Sequence, residues 1–153
     1  MPDARRPKTV RAAKEFHPGR LDRLGNAVVS MLARLGLGPF HLLTTRGRKT
    51  GRLHSNPVTL VEHDGKTWLV APYGAVSWVL NTRAAGQITI RRGRNSRELA
   101  IREAGPEEAA PILKRYVGIA RVTRPYFQAN KDSPPEDFIA EAHRHPVFEL
   151  TPL

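Results

Sequence analysis

The sequence predicts a mainly β-sheet protein, either a small β-barrel or a strongly curled antiparallel sheet with helices around it. Two short connections support this fold class. Asp64-Gly65 separates two apolar segments, and the tight turn 92–95 separates two more; both connections are typical of hairpins between antiparallel strands. The third observation is the order of the elements, because strands and helices do not alternate as a Rossmann fold requires.

Two segments precede the first strand. Residues 1–18 are basic and weakly periodic, which predicts a flexible arm. A helix follows, ending at a Gly36 cap, and its apolar side chains recur at helical spacing: Leu21, Leu24, Val28, Met31, Leu32 and Leu35. This stripe either packs on the core or lies, with the basic arm, on a membrane surface.

The strands are predicted from runs of β-branched, aromatic and alternating residues between turn signals. They are residues 40–45, 53–62, 67–71, 87–91, 96–103 and 147–150.

Two further helices are predicted beside the sheet. The first covers 75–85 and ends at Gly86; the second begins at Pro106 with acidic residues in its first turn. Residues 118–137 are predicted to be irregular because they contain three prolines, and 138–143 to form one helical turn.

Composition limits the classes of function. The chain has 153 residues, of which 40% are hydrophobic, which fits one globular domain. It has no cysteine, which excludes disulfides and thiolate chemistry and fits a cytoplasmic location, and no signal peptide is visible. A formal net charge of +11 attracts nucleic acid, an anionic membrane or a polyanionic small molecule.

The cations are densest in the segment 44–52. It holds four cations and no acid, with glycines on both sides of an Arg-Lys pair: Arg46, Arg48, Lys49 and Arg52. Backbone amides, hydroxyls and fixed positive charge at one turn are suited to binding an anion such as phosphate. The turn is not a Walker A loop, because Arg48 stands where that motif has glycine. Taken alone, a cationic turn is more often only solvated.

Other motifs are weaker. His143 and His145 lack the spacing and neighbouring ligands of a metal pair, so no metal site is predicted. The arginines between Arg83 and Arg97 surround a hairpin without interleaved aromatic residues, so nucleic acid is not the expected partner.

Several segments after the first helix form a recognisable series. They are 42–51, Asn56-Pro57-Val58, Val70-Ala71-Pro72-Tyr73-Gly74, Trp78-Val79-Leu80-Asn81 and His145-Pro146-Val147-Phe148. Together they resemble the deazaflavin-dependent nitroreductase family of actinobacterial oxidoreductases, from residue 21 to the C-terminus. The resemblance implies one split β-barrel domain (FMN-binding split barrel-like) over 19–153.

The resemblance also implies a cofactor, coenzyme F420, with FMN as the alternative. F420 is a deazaflavin with a phosphate and an oligoglutamate tail, so its charge complements that of the chain. By motif, Arg48 and Lys49 with Thr50 and Gly51 are expected to hold the phosphate. The family has Arg in a Gly-x-Pro-Arg run where this chain has His54, so His54 or Arg52 is expected to complete the clamp.

The remaining cofactor contacts are expected at the ring and the tail. The ring-binding residues implied are Asn56, Pro57, Val58, Val70, Ala71, Pro72, Tyr73, Trp78 and Asn81. Arg46 and Arg52 are assigned to the tail carboxylates from charge and position.

The implied reaction is hydride transfer from the deazaflavin C5 to a small acceptor, an enone, quinone or nitroaromatic. Tyr126 and Tyr73 are the candidate catalytic residues, and Tyr116, Tyr126 and Phe127 the candidate acceptor contacts. Two alternatives stay open, a non-catalytic binder of the same cofactor and a basic nucleic-acid or membrane-surface module. The expected state is a monomer or homodimer in the cytoplasm, with membrane contact through the N-terminal arm and helix as a further option.

Overall fold

The structure, a computed structural model, describes residues 13–15, 26–32, 36 and 39–153. Most of the predicted arm and both ends of the predicted first helix lie outside these residues. Within the arm, Lys14 contacts the body of the protein: its N–H donates to the Pro125 carbonyl at 2.8 Å and its ammonium lies 5.8 Å from the centre of the Tyr126 ring.

The fold is built on one sheet of seven strands. In chain order the strands are β1 (His41–Arg46), β2 (Leu53–Val58), β3 (Leu60–His63), β4 (Lys66–Val70), β5 (Gln87–Arg92), β6 (Asn95–Glu103) and β7 (Val147–Pro152). Their order across the sheet is β2-β1-β5-β6-β7-β4-β3, and every neighbouring pair is antiparallel. The predicted antiparallel class is confirmed.

The two edges of this sheet meet at one residue. The sequence predicted a single strand over 53–62, which is wrong: β2 and β3 are separate and lie at opposite edges of the sheet. Only Thr59 lies between them along the chain. Because one residue cannot span an open sheet of seven strands, the sheet curls until its edges come together at Thr59.

The hairpin turns have the predicted chemistry. Asp64 and Gly65, between β3 and β4, both have positive φ (51° and 73°), as a type I′ turn requires. Gly93, with φ 58°, lies in the turn between β5 and β6. The other predicted strands are all present, with bounds within two residues of the expectation.

Both faces of the sheet bury apolar side chains. Inside the curl, Leu43, Leu69 and Phe148 belong to a cluster that also includes Trp78 and Val79 of the first helix after β4. On the outside, a second cluster packs under the later helices and includes Val61, Trp68, Leu113, Phe127 and Phe138. Alternate residues of β4 therefore enter different cores, and this strand is a shared wall between them.

The helices lie around the curled sheet. They are α1 (described over 26–32), α2 (Ser77–Ala85), α3 (Pro106–Ile119) and α4 (Pro135–Glu141). Gly86 ends α2 in the left-handed conformation, and Pro106 opens α3, both as predicted. Among the described residues, no helix has the length and apolar character needed to cross a membrane.

One prediction about helices is wrong. The segment 118–137 is not irregular throughout, because α3 continues to Ile119, a 3-10 helix covers Arg121–Tyr126, and α4 begins at Pro135.

Only the middle of the predicted apolar stripe lies among the described residues. There, Val28 and Met31 are 48% and 56% exposed.

Candidate functional site

A cavity of about 1120 Å³ opens between β2, the end of β4, α2 and the C-terminal end of α3. Many of the sequence-predicted site residues line it. They are Arg48, Lys49, Thr50, His54, Asn56, Pro57, Val58, Val70, Pro72, Tyr73, Trp78, Asn81 and Tyr116. Residues from four separate parts of the chain therefore meet around one space of ligand size.

The cationic turn between β1 and β2 forms one end of the cavity and is stabilised by its own backbone. Gly47 N–H donates to the Arg52 carbonyl at 2.7 Å, and Gly51 N–H donates to the Gly47 carbonyl at 2.9 Å. A Cβ atom on Gly47 would lie 2.9 Å from Thr50 Oγ1 and 3.2 Å from the Arg52 carbonyl oxygen. Glycine is therefore needed at 47 for close packing of the turn.

Asn81 of α2 attaches this turn to the rest of the site. Its side-chain oxygen accepts from the Arg48 N–H at 3.2 Å and from Arg48 Nη1 at 3.0 Å. Its amide nitrogen donates to Thr45 Oγ1 at 3.5 Å, and the residue is buried. Asn81 was predicted to contact the cofactor ring, but its oxygen is already bonded to the cationic turn.

Two backbone amides of the turn stay available. Within the part of the chain that the structure describes, the N–H groups of Lys49 and Thr50 donate to no protein acceptor, whereas those of Arg48 and Gly51 are occupied. Gly51 was predicted to help bind the phosphate, but its amide is already bonded to the Gly47 carbonyl. Free amides next to two cationic side chains are suited to an anionic group.

The charge of the cavity has one sign. Its described lining residues include Arg48, Lys49 and Arg121 and contain neither aspartate nor glutamate. In a partly enclosed space, three uncompensated cations favour a ligand with several negative charges.

The walls next to the cationic turn are mainly apolar. Pro57 and Val58 at the end of β2 form one wall; Val70, Pro72 and Tyr73 at the end of β4 form another. Trp78 of α2 lies between them, and its ring packs 6.4 Å from that of Phe148 in the inner core. A flat ring can lie against these side chains with little exposure to water.

Tyr116 and Thr123 line the cavity at the end of α3. The Thr123 hydroxyl donates to the Ala120 carbonyl at 2.7 Å. Burial raises the pKa of Tyr116, and the nearby Thr123 side chain offsets only part of that rise. Tyr116 therefore stays protonated at neutral pH.

Six predicted site residues do not line the cavity: Arg46, Gly51, Arg52, Ala71, Tyr126 and Phe127. Arg46 donates from Nη1 to the Gly51 carbonyl at 3.0 Å and so braces the turn from outside. Ala71 and Phe127 are fully buried in the two cores. Tyr126 lies behind Tyr73, with the ring centres 4.8 Å apart at 77°, so it contacts the lining without joining it.

The sequence reasoning missed part of the lining. The missed residues are Asn26, Val29, Pro39, Phe40, Gly47, Ser55, Thr59, Val76, Ser77, Ile119, Ala120, Arg121, Val122 and Thr123. Ser55, Thr59 and Ser77 lie beside residues that were predicted, so wider bounds would have included them. The group after Ile119 had no local signal in the sequence, because it lies in a segment interpreted as irregular; the structure shows Ile119 and Val122 to be exposed.

A comparison with protein-family models identifies the relatives of the chain. Residues 20–132 match the model described as F420H(2)-dependent quinone reductase. The chain belongs to this family. It is accordingly an F420H2-dependent reductase, and coenzyme F420 is its cofactor.

Solved structures agree with this family at the level of the fold. A structure described as a domain-swapped dimer is 23% identical, with a TM-score of 0.54 over 86% of this chain and 96% of the other. The F420-H2 dependent reductase FDR-A is 24% identical, with a TM-score of 0.52 over 74% and 94%. The protein Atu2129 from Agrobacterium tumefaciens is 16% identical, with a TM-score of 0.54 over 82% and 54%. The curled sheet is thus the split barrel of the F420-dependent reductases.

The residues present fit this cofactor. F420 combines a flat ring with several negative charges, and the cavity combines apolar walls with a cationic turn that has two free amides. The fit rests on the donor set of the turn as well as on the size of the space.

Proposed function

We propose that this F420H2-dependent reductase reduces a small electrophilic acceptor, an enone, quinone or nitroaromatic, inside the cavity described above. The observation that carries the proposal is that one cavity contains both a cationic turn and apolar walls, with no acidic side chain among its described lining residues. When bound, reduced F420 supplies a hydride from C5 of its ring. The acceptor gains two electrons with that hydride, and a proton completes its reduction.

The anionic part of the cofactor is assigned to the turn. Arg48 and Lys49 bind the phosphate through their side chains, helped by the N–H groups of Lys49 and Thr50. Arg46 and Arg52, outside the lining, are assigned to the carboxylates of the tail. This assignment is supported by the free amides and by the lack of acidic side chains in the lining.

The ring is assigned to the space between the ends of β2 and β4. Pro57 and Val58 contact one side, and Val70, Tyr73 and Trp78 the other. Support comes from their shared position in the lining and their apolar surfaces, which exclude water and hold the acceptor against the ring.

Tyr73 is proposed as the residue that delivers the proton. It is the tyrosine of the predicted catalytic pair that lines the cavity, whereas Tyr126 packs behind it. Tyr116 is a weaker candidate, because burial raises its pKa and so makes it a poorer acid. The acceptor itself is assigned to the wall at Ile119, Val122 and Tyr116.

The decisive experiment is a fluorescence titration of the protein with oxidised F420. We expect Lys49→Ala to raise the Kd at least about tenfold, since a charge-assisted hydrogen bond contributes about 1.5–3 kcal/mol. Arg97→Ala is the matched control, an exposed cation of β6 outside the lining, and should change the Kd by less than about threefold.

Two results would contradict the proposal. Equal losses in Lys49→Ala and Arg97→Ala would mean that overall charge, not the cavity, binds the cofactor. Tighter binding of FMN than of F420 in a parallel titration would assign the cavity to a different electron donor. An acceptor screen with enones, quinones and nitroaromatics then identifies the substrate class.

A homodimer is the proposed assembly. It is supported by one similar structure being described as a domain-swapped dimer. Light scattering coupled to gel filtration measures the mass directly, and a mass of one 17.1 kDa chain at micromolar concentration would refute the dimer.

A further inference from the structure

A buried carboxylate and a buried histidine lie behind the Tyr73 wall and are not used by the reaction proposed above. Glu141 is the last residue of α4, and His145 follows the next short helical turn. Both are almost completely buried, at 2% exposure. Since burying such groups is costly without partners, their partners indicate what they do.

Glu141 binds the segment that follows Tyr126. Its two carboxylate oxygens accept from the Gln128 N–H at 2.9 Å and from the Ala129 N–H at 3.0 Å. Burial by itself would raise the pKa of Glu141, but the neighbouring His145 and the hydrogen bonds from these two amides outweigh it and hold the pKa below its ordinary value. The carboxylate therefore stays charged inside the protein.

His145 connects this carboxylate to the cavity wall. Its Nδ1 lies 2.9 Å from the Pro72 carbonyl oxygen, and its Nε2 lies 3.5 Å from Glu141 Oε2. Because a carbonyl can only accept, Nδ1 must carry the hydrogen of that bond. The ring is stacked on Phe127, 3.9 Å between centres at 19°, which fixes its plane.

The backbone next to Pro72 makes two further hydrogen bonds of unequal length. Pro72 has no N–H, so its carbonyl is its only backbone hydrogen-bonding group. Ala71 N–H donates to the Pro146 carbonyl at 2.8 Å, but the next bond of the turn, from Gly74 N–H to the Ala71 carbonyl, is 3.5 Å long. Gly74 has a φ of 87°, so the chain bends sharply directly after Tyr73.

We propose that His145 is a positioning residue: it donates from Nδ1 to the Pro72 carbonyl, oriented by Glu141 and Phe127, and so holds the Tyr73 wall of the cavity in place for hydride transfer. The inference rests on the proposed function for the role of Tyr73, but the clamp itself is a property of the free protein. It ties the cavity wall to residues 127–129 and to the approach to β7.

Three variants test the clamp. His145→Asn keeps a donor close to the position of Nδ1, His145→Leu has similar volume and no donor, and His143→Asn alters an exposed histidine two residues away. We expect His145→Leu to lower kcat about tenfold or more, because small misplacements at a reacting centre are expensive. Its Kd for F420 should change less than about threefold, since the cationic turn is untouched. His145→Asn should recover most of the kcat, and His143→Asn should resemble the wild type.

A merely structural role gives a different pattern. It would lower the unfolding temperature of both His145 variants and the fraction of active protein, while kcat per cofactor-binding molecule stayed equal to that of the wild type. That result would overturn the proposal, as would equal kcat losses in His145→Leu and His145→Asn.

A measurement on the wild-type protein decides the question if the variants do not fold. Long-range proton–nitrogen NMR of the imidazoles, with His145 assigned through contacts to the Phe127 ring, should show a protonated Nδ1 whose hydrogen exchanges slowly. A His145 tautomer with bare Nδ1 would refute the clamp. Because this experiment needs no cofactor, it fails independently of the F420 titration.

Discussion

Asn81 decides, at the scale of single residues, which groups of the cationic turn can reach a ligand. Its oxygen accepts from the Arg48 amide and from Nη1 of the Arg48 guanidinium, and Arg48 lines the cavity. If Arg48 binds the anion as proposed, this buried amide acts on the ligand through the turn.

Two substitutions at Asn81 should have different effects. Asn81→Ala removes both bonds to Arg48, so we expect a loss of about 1–3 kcal/mol in the free energy of unfolding and weaker F420 binding. Asn81→Asp keeps an acceptor and should keep most of the stability, but its charge pairs with Arg48 and should still weaken binding. Urea unfolding and fluorescence titration measure the two quantities. Wild-type affinity in Asn81→Asp would mean that Arg48 does not bind the anion.

Removing one hydroxyl distinguishes the two tyrosines of the predicted catalytic pair. Tyr73→Phe should lower kcat about tenfold to a hundredfold while leaving the Kd of F420 nearly unchanged, as expected for a general acid. Tyr126→Phe serves as the control, because its ring supports Tyr73 from behind and should tolerate the change. Steady-state kinetics measure both variants, and a larger effect at Tyr126 would reverse the assignment.

The sequence predicted the turn but not its anchor. The four cations within seven residues form a local pattern that the sequence shows directly. The bond between Arg48 and Asn81 joins positions 33 apart and has no local signal. Phe127 was expected to contact the acceptor, yet its ring stacks on His145 in the core. Apolar side chains look alike in a sequence whether they line a cavity or fill one.

At the scale of elements, α4 should be the origin of an acid-sensitive contribution to stability. The pKa of Glu141 is lowered in the folded state, so its carboxylate stabilises the fold above its ordinary pKa of 4.5. This stabilisation should disappear as the pH falls from 4.5 through the lower folded pKa. We expect the free energy of unfolding to fall less steeply over that range in Glu141→Gln, which should already be less stable at pH 7.

The control lies in the same helix. Glu136 is exposed in the first turn of α4, and Glu136→Gln should leave the pH dependence almost as in the wild type. Urea unfolding at several pH values between 3 and 7 gives the curves. Parallel curves for the wild type and Glu141→Gln would contradict the assignment.

Elements with strong local signals were predicted well, and those set by tertiary packing were not. Asp64-Gly65, Gly86 and Pro106 each mark a boundary that the structure retains. The break at Thr59 has no such marker, because the chain stays extended there and only the pairing partner changes from β1 to β4. Pro134-Pro135 was interpreted as part of an irregular segment, although Pro135 opens α4.

For the whole molecule, the net charge of +11 should make cofactor binding depend on salt. Because the Debye length shrinks from about 10 Å at 0.1 M salt to about 3 Å at 1 M, F420 should bind several-fold more weakly at the higher salt. The Kd of F420 should depend less steeply on salt in Lys49→Ala. The KM of an uncharged acceptor should hardly change with salt. Titrations along a salt series measure this, and a flat F420 curve would exclude electrostatic binding.

The antiparallel class of the sheet was predictable from the sequence, but the order of its strands was not. Hairpin turns and the absence of alternating helices predicted antiparallel strands, and the family resemblance predicted the split barrel. The order β2-β1-β5-β6-β7-β4-β3 was not predictable from local patterns, because β4 and β7 pair across more than 70 positions. Strand pairing over such a distance depends on how the faces of the whole sheet pack, not on local sequence.

The central position of β7 has a consequence for how the protein is made. Without this strand, the sheet divides into two pieces with no hydrogen bonds between them, β2-β1-β5-β6 and β4-β3, joined only by the chain at Thr59. Both pieces precede β7 in the chain, so a ribosome must release residues 147–152 before they can pair through it. Until then, the facing edges of β6 and β4 are open to other chains. During synthesis, two unpaired strand edges are therefore exposed on the nascent chain, and β7 covers both when it pairs with them.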